Sequence, residues 1–269
     1  MKIEVKATGL SELRLRLAGL DRKIKVITKS ALNDAAYLAS KKTVEAMIRV
    51  FDMPTPWILG SVRYKKATPE KLESQVDFDQ WGNKQIVTAG MVLNAEIFGG
   101  RRKLKRHEVA LQRAGILPPG MAIVPGAGAK LDQYGTMDSG QIKQIMAWFM
   151  AHGEQGYKSN MTDRTRDARR RGSKKTNGIG FEFFVVKAGD RRTFTRASGK
   201  TGTHKLQPGI YQRFFLGHGT AIRPIMIFVS IPNYKQRLDF YGIARKAAEE
   251  EFQRSFDKYA KQLLTERGL

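Results

Sequence analysis

The chain has 269 residues, 41% of them apolar, enough to build a core for one large domain or one domain with an insertion. Its 48 basic and 25 acidic side chains leave a net charge of +23. Such a self-repelling excess points to a nucleic acid, an anionic membrane or acidic protein neighbours. The absence of cysteine excludes disulfides, thiolate metal sites and cysteine nucleophiles, and fits a reducing compartment. No run of about 18 apolar residues marks a membrane span, and the opening MKIEVKATGLSELRLRLAGL lacks the unbroken apolar block of a signal peptide.

In chain order, Met1 to Lys6 alternates with Ile3 and Val5 on one side, which predicts a short strand. Thr8 is placed to cap a helix carrying Leu10, Leu13, Leu17 and Leu20. A longer helix is predicted from about Arg22 to Phe51, rich in alanine on its apolar face and ended by Pro54 and Pro56. Ser61 to Thr68 and Leu72 to Phe78 flank Pro69-Glu70-Lys71 as a hairpin, and QIVTAGM around Ile86 is a candidate third strand. A helix follows from about Lys103 to Ala114, stopped at Gly115. MAIVP is extended, and Asp138 or Ser139 caps a helix carrying Ile142, Ile145, Met146 and Phe149.

From Asn160 to Asn177 the chain is charged and has no apolar period, which predicts a mobile loop. Strands are expected at Gly180–Lys187, Gly209–Leu216 and Pro224–Ser230, with a basic, turn-rich linker between the first two. Asp239 to Arg267 reads as a long amphipathic helix with a stripe of Tyr241, Ala244, Ala248, Phe252, Phe256, Tyr259 and Leu263. The pattern is α+β: a mixed or antiparallel sheet packed by long N- and C-terminal helices, with a helical and loop insertion. Residues 1–95 and 179–269 form the expected core domain, with strands on both sides sharing one sheet. Residues 96–178 form the expected insertion subdomain with its basic mobile loop.

Catalytic motifs are thin. GAGAK, Gly126 to Lys130, has its glycines too close for a phosphate loop, and Leu131 follows the lysine, so a loop needing positive φ is the better reading. His107, His152, His204 and His218 are scattered without zinc-ligand spacing. Glu108, Asp132 and Asp138 could serve a metal-dependent nuclease. However, Glu108 stands near Arg101 and Arg102, where an ion pair explains it, and the aspartates lie among turn residues. No nucleophile motif, cofactor site or metal site is expected.

The basic residues fall in three segments. The first holds Arg101, Arg102, Lys103, Lys105 and Arg106. The second holds Arg164, Arg166, Arg169, Arg170, Arg171, Lys174 and Lys175. Arg191, Arg192, Arg196, Lys200 and Lys205 are spread through the third. A single charge run is ordinarily a solvated face, but three of them favour contact with DNA phosphates or an acidic partner, salt-dependent and blind to sequence.

The stretch GGRRKLKRHEVALQRAGILPPGMAIVPGAGAKLDQYGTMDSGQIKQI resembles a block of the minor tail protein Z and tail-completion family of long-tailed phages. The matching residues are Gly99, Gly100, Arg102, Glu108, Ala110, Leu111, Pro125, Lys130, Leu131, Asp132, Tyr134, Gly135, Gly140, Gln141 and Ile142. Thr136 departs from the asparagine usual there. ALNDAAYLASKKTVEAM, LQPGIYQR and MIFVSIPNYKQRLDFYGIARKAAEEEF are also similar, so the likeness covers most of the chain outside residues 155–178 and 188–204.

The resemblance implies a structural virion protein of the tail neck, assembled in the host cytoplasm. It implies self-association into a ring, commonly a hexamer, between tail tube or terminator proteins and the head connector. Double-stranded genomic DNA is a possible further partner, and no membrane is involved. Phe183, Phe214 and Phe215 would then be buried between copies, or else serve as ordinary core. The competing expectations are a metal-dependent nuclease and a non-catalytic, nonspecific DNA-binding protein.

Overall fold

The computed structural model describes residues 3–6, 21–78, 88–153, 159–174, 177–195 and 201–265. The predicted helix of Leu10 to Leu20 lies outside them. The chain divides into two compact units, a terminal unit of Met1–Arg101 with Asn233–Leu269 and a central unit of Arg102–Pro232.

The terminal unit is built on two long helices, α1 (Asp21–Val50) and α7 (Phe240–Thr265), packed together. Their small residues explain the packing. Ala31, Ala35, Ala36 and Ala39 of α1 and Ala244 and Ala248 of α7 are all buried, and side chains this short let two backbones approach. The Tyr259 hydroxyl donates to Asp34 across the pair at 2.6 Å.

The sheet of this unit, ordered β1-β3-β2, joins β1 (Ile3–Lys6), β2 (Val62–Lys65) and β3 (Glu73–Phe78), all antiparallel. Asn33 in α1 fastens it: its side chain accepts from the Ala67 N–H at 2.7 Å and the Ser74 hydroxyl at 3.2 Å. Thr28 and Thr43, polar and buried inside α1, donate back to the carbonyls of Ile24 and Ala39. Pro54 and the short α2 (Pro56–Leu59), capped by Thr55, follow α1.

The strand expected around Ile86 falls mostly outside the described residues, but its end is corrected. Thr88 is an N-cap accepting from the Met91 N–H, and α3 (Ala89–Phe98) begins there. Leu93 and Ile97 of α3 are buried in one cluster with Val76, Phe78 and Phe240, the two phenylalanine rings 4.7 Å apart. Gly99 and Gly100, at φ +75° and +92°, turn the chain into β4 (Gly100–Arg101). A Cβ on Gly99 would press the Tyr234 carbonyl oxygen at 3.3 Å. β4 pairs with β11 (Asn233–Tyr234), beside the two points where the chain leaves and re-enters this unit.

The central unit carries a four-stranded antiparallel sheet in the order β5-β10-β9-β6, from β5 (Met121–Pro125), β6 (Gly180–Val186), β9 (Gly209–Leu216) and β10 (Gly219–Ser230). The helices α4 (Arg106–Arg113) and α5 (Ser139–Trp148) supply Leu111, Ile145, Met146 and Trp148 to its core, with Phe183, Ile210, Ile225 and Met226 from the strands. The partition therefore differs from the one expected. β5, inside the predicted insertion, hydrogen-bonds to β10, so strands 179–232 belong with the insertion and not with β1–β3. Phe183 is a core residue, 3% exposed, while Phe214 and Phe215 are half-buried.

Two segments read as loops are structured. Residues 163–171 form α6 (Asp163–Arg171), capped by Thr162. Strands β7 (Arg191–Thr195) and β8 (Thr201–Lys205) pair antiparallel. α6 ends against the start of β6: a Cβ on Gly180 would overlap the Arg170 carbonyl oxygen, so the position requires glycine. The GAGAK glycines are explained the same way and not by positive φ. A Cβ on Gly126 would meet the Pro224 carbonyl oxygen at 2.5 Å, and one on Gly128 the Arg223 Cδ at 2.6 Å.

Gly180→Ala is expected to destabilise the full-length protein by about 1–3 kcal/mol or more through overpacking. Gly217→Ala, with open space around its Cβ position, should stay within about 0.5 kcal/mol of the parent. Urea unfolding followed by circular dichroism measures both.

Candidate functional site

Glu108 is the best-connected polar residue of the predicted set. It is fully buried near the start of α4. One carboxylate oxygen accepts from Arg102 Nη2 at 2.6 Å and the Ile123 N–H at 2.7 Å. The other accepts from Arg102 Nη1 at 2.8 Å and the Lys105 N–H at 2.6 Å. The bidentate Arg102 pair fixes the entry of the chain, the Lys105 bond closes the first turn of α4, and the Ile123 bond ties α4 to β5. Burial alone would raise this carboxyl. The Arg102 guanidinium and the N–H groups of Ile123 and Lys105 more than offset that and hold it below its ordinary value of 4.5.

The other motif carboxylates are equally committed. Asp132 Oδ1 accepts from the N–H groups of Tyr134 and Thr136, both at 2.8 Å, in a turn completed by Gly135 at φ +72°. Only the backbone of Thr136 is needed for that bond. Asp138, not Ser139, caps α5 by accepting from the Gln141 N–H at 2.8 Å. Gln141 in turn accepts from the Lys130 N–H at 2.8 Å. The three carboxylates proposed for metal chemistry are thus separate structural fixtures. Among the described residues no group of three or more histidine and acidic side chains could hold a metal ion. His107 is half-buried on α4, and burial pushes its pKa below the ordinary value.

The basic clusters are split by the fold. Of the first, Arg102 is spent on Glu108, while Arg101, Lys103, Lys105 and Arg106 are exposed. Of the second, Arg166 pairs with Asp163 at 3.0 Å, and its guanidinium touches Met150 Sδ at 3.6 Å. Arg170 bridges Asp167 and Glu182 at 3.1 and 3.0 Å and lies over the Trp148 ring at 5.6 Å. Arg169 lies over the Phe181 ring at 5.8 Å. Arg164, Arg171 and Lys174 stay exposed, and Lys175 is outside the described residues.

The correction of loop to helix has its cause here. Arginine stems and guanidinium–aromatic contacts take the role of an apolar stripe, so α6 shows no apolar period. Arg169 to Arg171 also stand in its last turn, where cations meet the negative end of the helix dipole. Arg191 and Arg192 lie on β7 opposite Lys205 and His204, while Arg196 and Lys200 are outside the described residues.

Sequence reasoning missed Glu182, which joins Arg170 to Arg213 at 2.8 Å. The signal existed only in the register, which sets Glu182 of β6 directly opposite Arg213 of β9. No described helix is long and apolar enough to cross a membrane. Comparisons with known protein families, with curated proteins and with solved structures return no match.

Because its pKa is lowered on folding, Glu108 contributes stability in full above the ordinary carboxylate value and loses it as pH falls through the folded value. Glu108→Gln removes the buried charge that Arg102 pairs with and is expected to cost about 3–5 kcal/mol at neutral pH. The difference between parent and variant should shrink as pH falls below 4.5, read from urea midpoints across a pH series. A constant difference from neutral to acid pH would contradict the ionised pair.

Proposed function

We propose that the chain is a structural component of a phage virion. In this reading it is a tail-completion or minor tail protein at the head-proximal end of the tail. Identical copies close into a ring that joins the tail to the head connector, and the ring performs no catalysis. The observation that carries the reading is the fate of the resembling block, residues 99–142. In it the side chains of Arg102, Glu108, Asp132, Asp138 and Gln141 act as buried ties, turn anchors or caps. A block so consumed by its own backbone suits a scaffold and leaves these carboxylates no role in metal-assisted hydrolysis.

Two further features support assembly. In the terminal unit Met91 and Phe98, two turns apart on α3, are 49% and 58% exposed, and Trp57 is 45% exposed. Large apolar side chains in such positions suit burial between copies. The charge of +23 per chain, pooled around a ring, would attract the DNA end or an acidic ring above or below it. The exposed Arg164, Arg171 and Lys174 of the central unit are the cations of the second cluster free to serve that contact.

Size-exclusion chromatography with light scattering, alone and with purified tails, is expected to show a closed oligomer or closure on the tail end. Protein analysis of purified virions should find the chain. Its absence there, or nucleic-acid turnover by an isolated single polypeptide, would overturn the proposal. Replacing Arg164, Arg171 and Lys174 together by alanine should leave oligomerisation intact. It should lower the slope of log affinity for duplex DNA against log salt by about 2.7, if each contacts one phosphate. An unchanged slope would remove α6 from the DNA contact.

A further inference from the structure

Beside α5 and α6, the central unit holds an open cleft of about 1310 Å³ that none of the motifs above absorbs. It is larger than the usual small-molecule pocket of about 300–1,000 Å³, so it has room for an extended chain. One wall is the sheet. There Arg169, Phe181, Phe214 and Arg223 form a continuous row of guanidinium, ring, ring, guanidinium. Arg169 lies over Phe181 at 5.8 Å, the two rings are 6.5 Å apart, and Arg223 lies over Phe214 at 4.6 Å. Lys130 and Lys143 also line the cleft, and both are exposed.

Arg169 Nε is buried and has no hydrogen-bond partner, an orphan donor in a polar cleft. Arg223 uses Nε and Nη2 on Gln212 Oε1, at 3.2 and 3.0 Å, which locks its plane. Its stem lies where Gly128 has no Cβ. Among the described residues of the lining the one carboxylate, Asp138, is engaged as the cap of α5. Four cations, with the described acid of the lining already engaged, favour an anion, and guanidinium groups present paired N–H donors suited to phosphate oxygens. The half-buried phenylalanines add apolar area, which an acidic peptide would not match but sugars and bases would.

We propose that this cleft binds phosphate groups, and that its occupant is the backbone of a single nucleic-acid strand. The assignment rests on the nucleic-acid contact in the reading above and not on the ring. It adds to the outer cations of α6 a second row, in the cleft, that the charge runs did not reveal. Arg223, Lys130 and Lys143 belong to none of those runs.

The test is fluorescence anisotropy of a labelled oligothymidine with the full-length protein. Arg223→Ala with Lys143→Ala is expected to weaken binding at least tenfold. Gly128→Ala, which displaces the Arg223 stem, should weaken it in the same direction. Lys41→Ala with Arg49→Ala, both exposed on α1 of the terminal unit, should stay within about twofold, the neutral behaviour of surface changes away from a site. Circular dichroism confirms that each variant is folded.

Inorganic phosphate or a mononucleotide should compete only at far higher concentration than an unlabelled strand. Equal competition would assign the cleft to a small phosphate ester and overturn the strand. Polyglutamate competing as well as the strand would overturn phosphate selectivity. Unchanged affinity in the Arg223/Lys143 variant would overturn the site itself. Light scattering on the same samples keeps the ring separate: loss of the oligomer with cleft binding intact counts against the ring alone.

Discussion

The central unit depends on a carboxylate placed where a carboxylate should be costly. Glu108 is fully buried, and the cost of removing its charge from water is offset only because all four of its hydrogen-bond contacts come from donors fixed by the chain. Those donors belong to the entry segment, the first turn of α4 and the strand β5. One side chain therefore joins three pieces of backbone. The turn at Asp132 and the cap at Asp138 then continue the same strategy toward α5, with short polar groups holding a run of loops that a hydrophobic core alone would leave loose.

The arginines follow a related logic. A chain with this excess of positive charge must place much of it close together, and repulsion would open the central unit if every cation were a solvated ion. Several are not. Arg102 is neutralised by Glu108, Arg170 and Arg213 share Glu182, and Arg166 pairs with Asp163. Others rest on aromatic faces, each contact contributing about 0.5–1 kcal/mol at exposed sites. Structure thus consumes part of the charge and sorts the remainder. Cations left over lie on the outer side of α6, along the entry segment and in the cleft, where they can act on a partner.

Much of the fold was legible because it is written in local periods. The 30 residues of α1 and the 26 of α7 repeat small apolar residues at helical spacing, and β5, β6, β9 and β10 were marked by apolar runs between turn residues. What escaped was structure whose stabilisation is not local. α6 has no apolar stripe because its packing surface is made of arginine stems against Trp148 and Phe181. The pair of β7 and β8 is polar and glycine-containing, so alternation does not betray it. α3 was obscured because Thr88, a β-former by type, serves as a cap. The partition of the chain was misplaced because strand pairing between β5 and β10 joins residues about a hundred positions apart, and no window of sequence contains both.

The candidate site divides along the same line. The sequence by itself determined the excess of charge, the lack of cysteine chemistry, the helices at both ends of the terminal unit and the turn-rich block with its glutamate. Each of these is set by residue type or by neighbours a few positions away. Tertiary structure alone decided which cations are free, that Gly126, Gly128 and Gly180 serve close approach, and that Arg169 and Arg223 meet across two phenylalanine rings. Those outcomes depend on the register between strands and on which groups burial forces into partnership, and both arise only when distant segments are brought into contact.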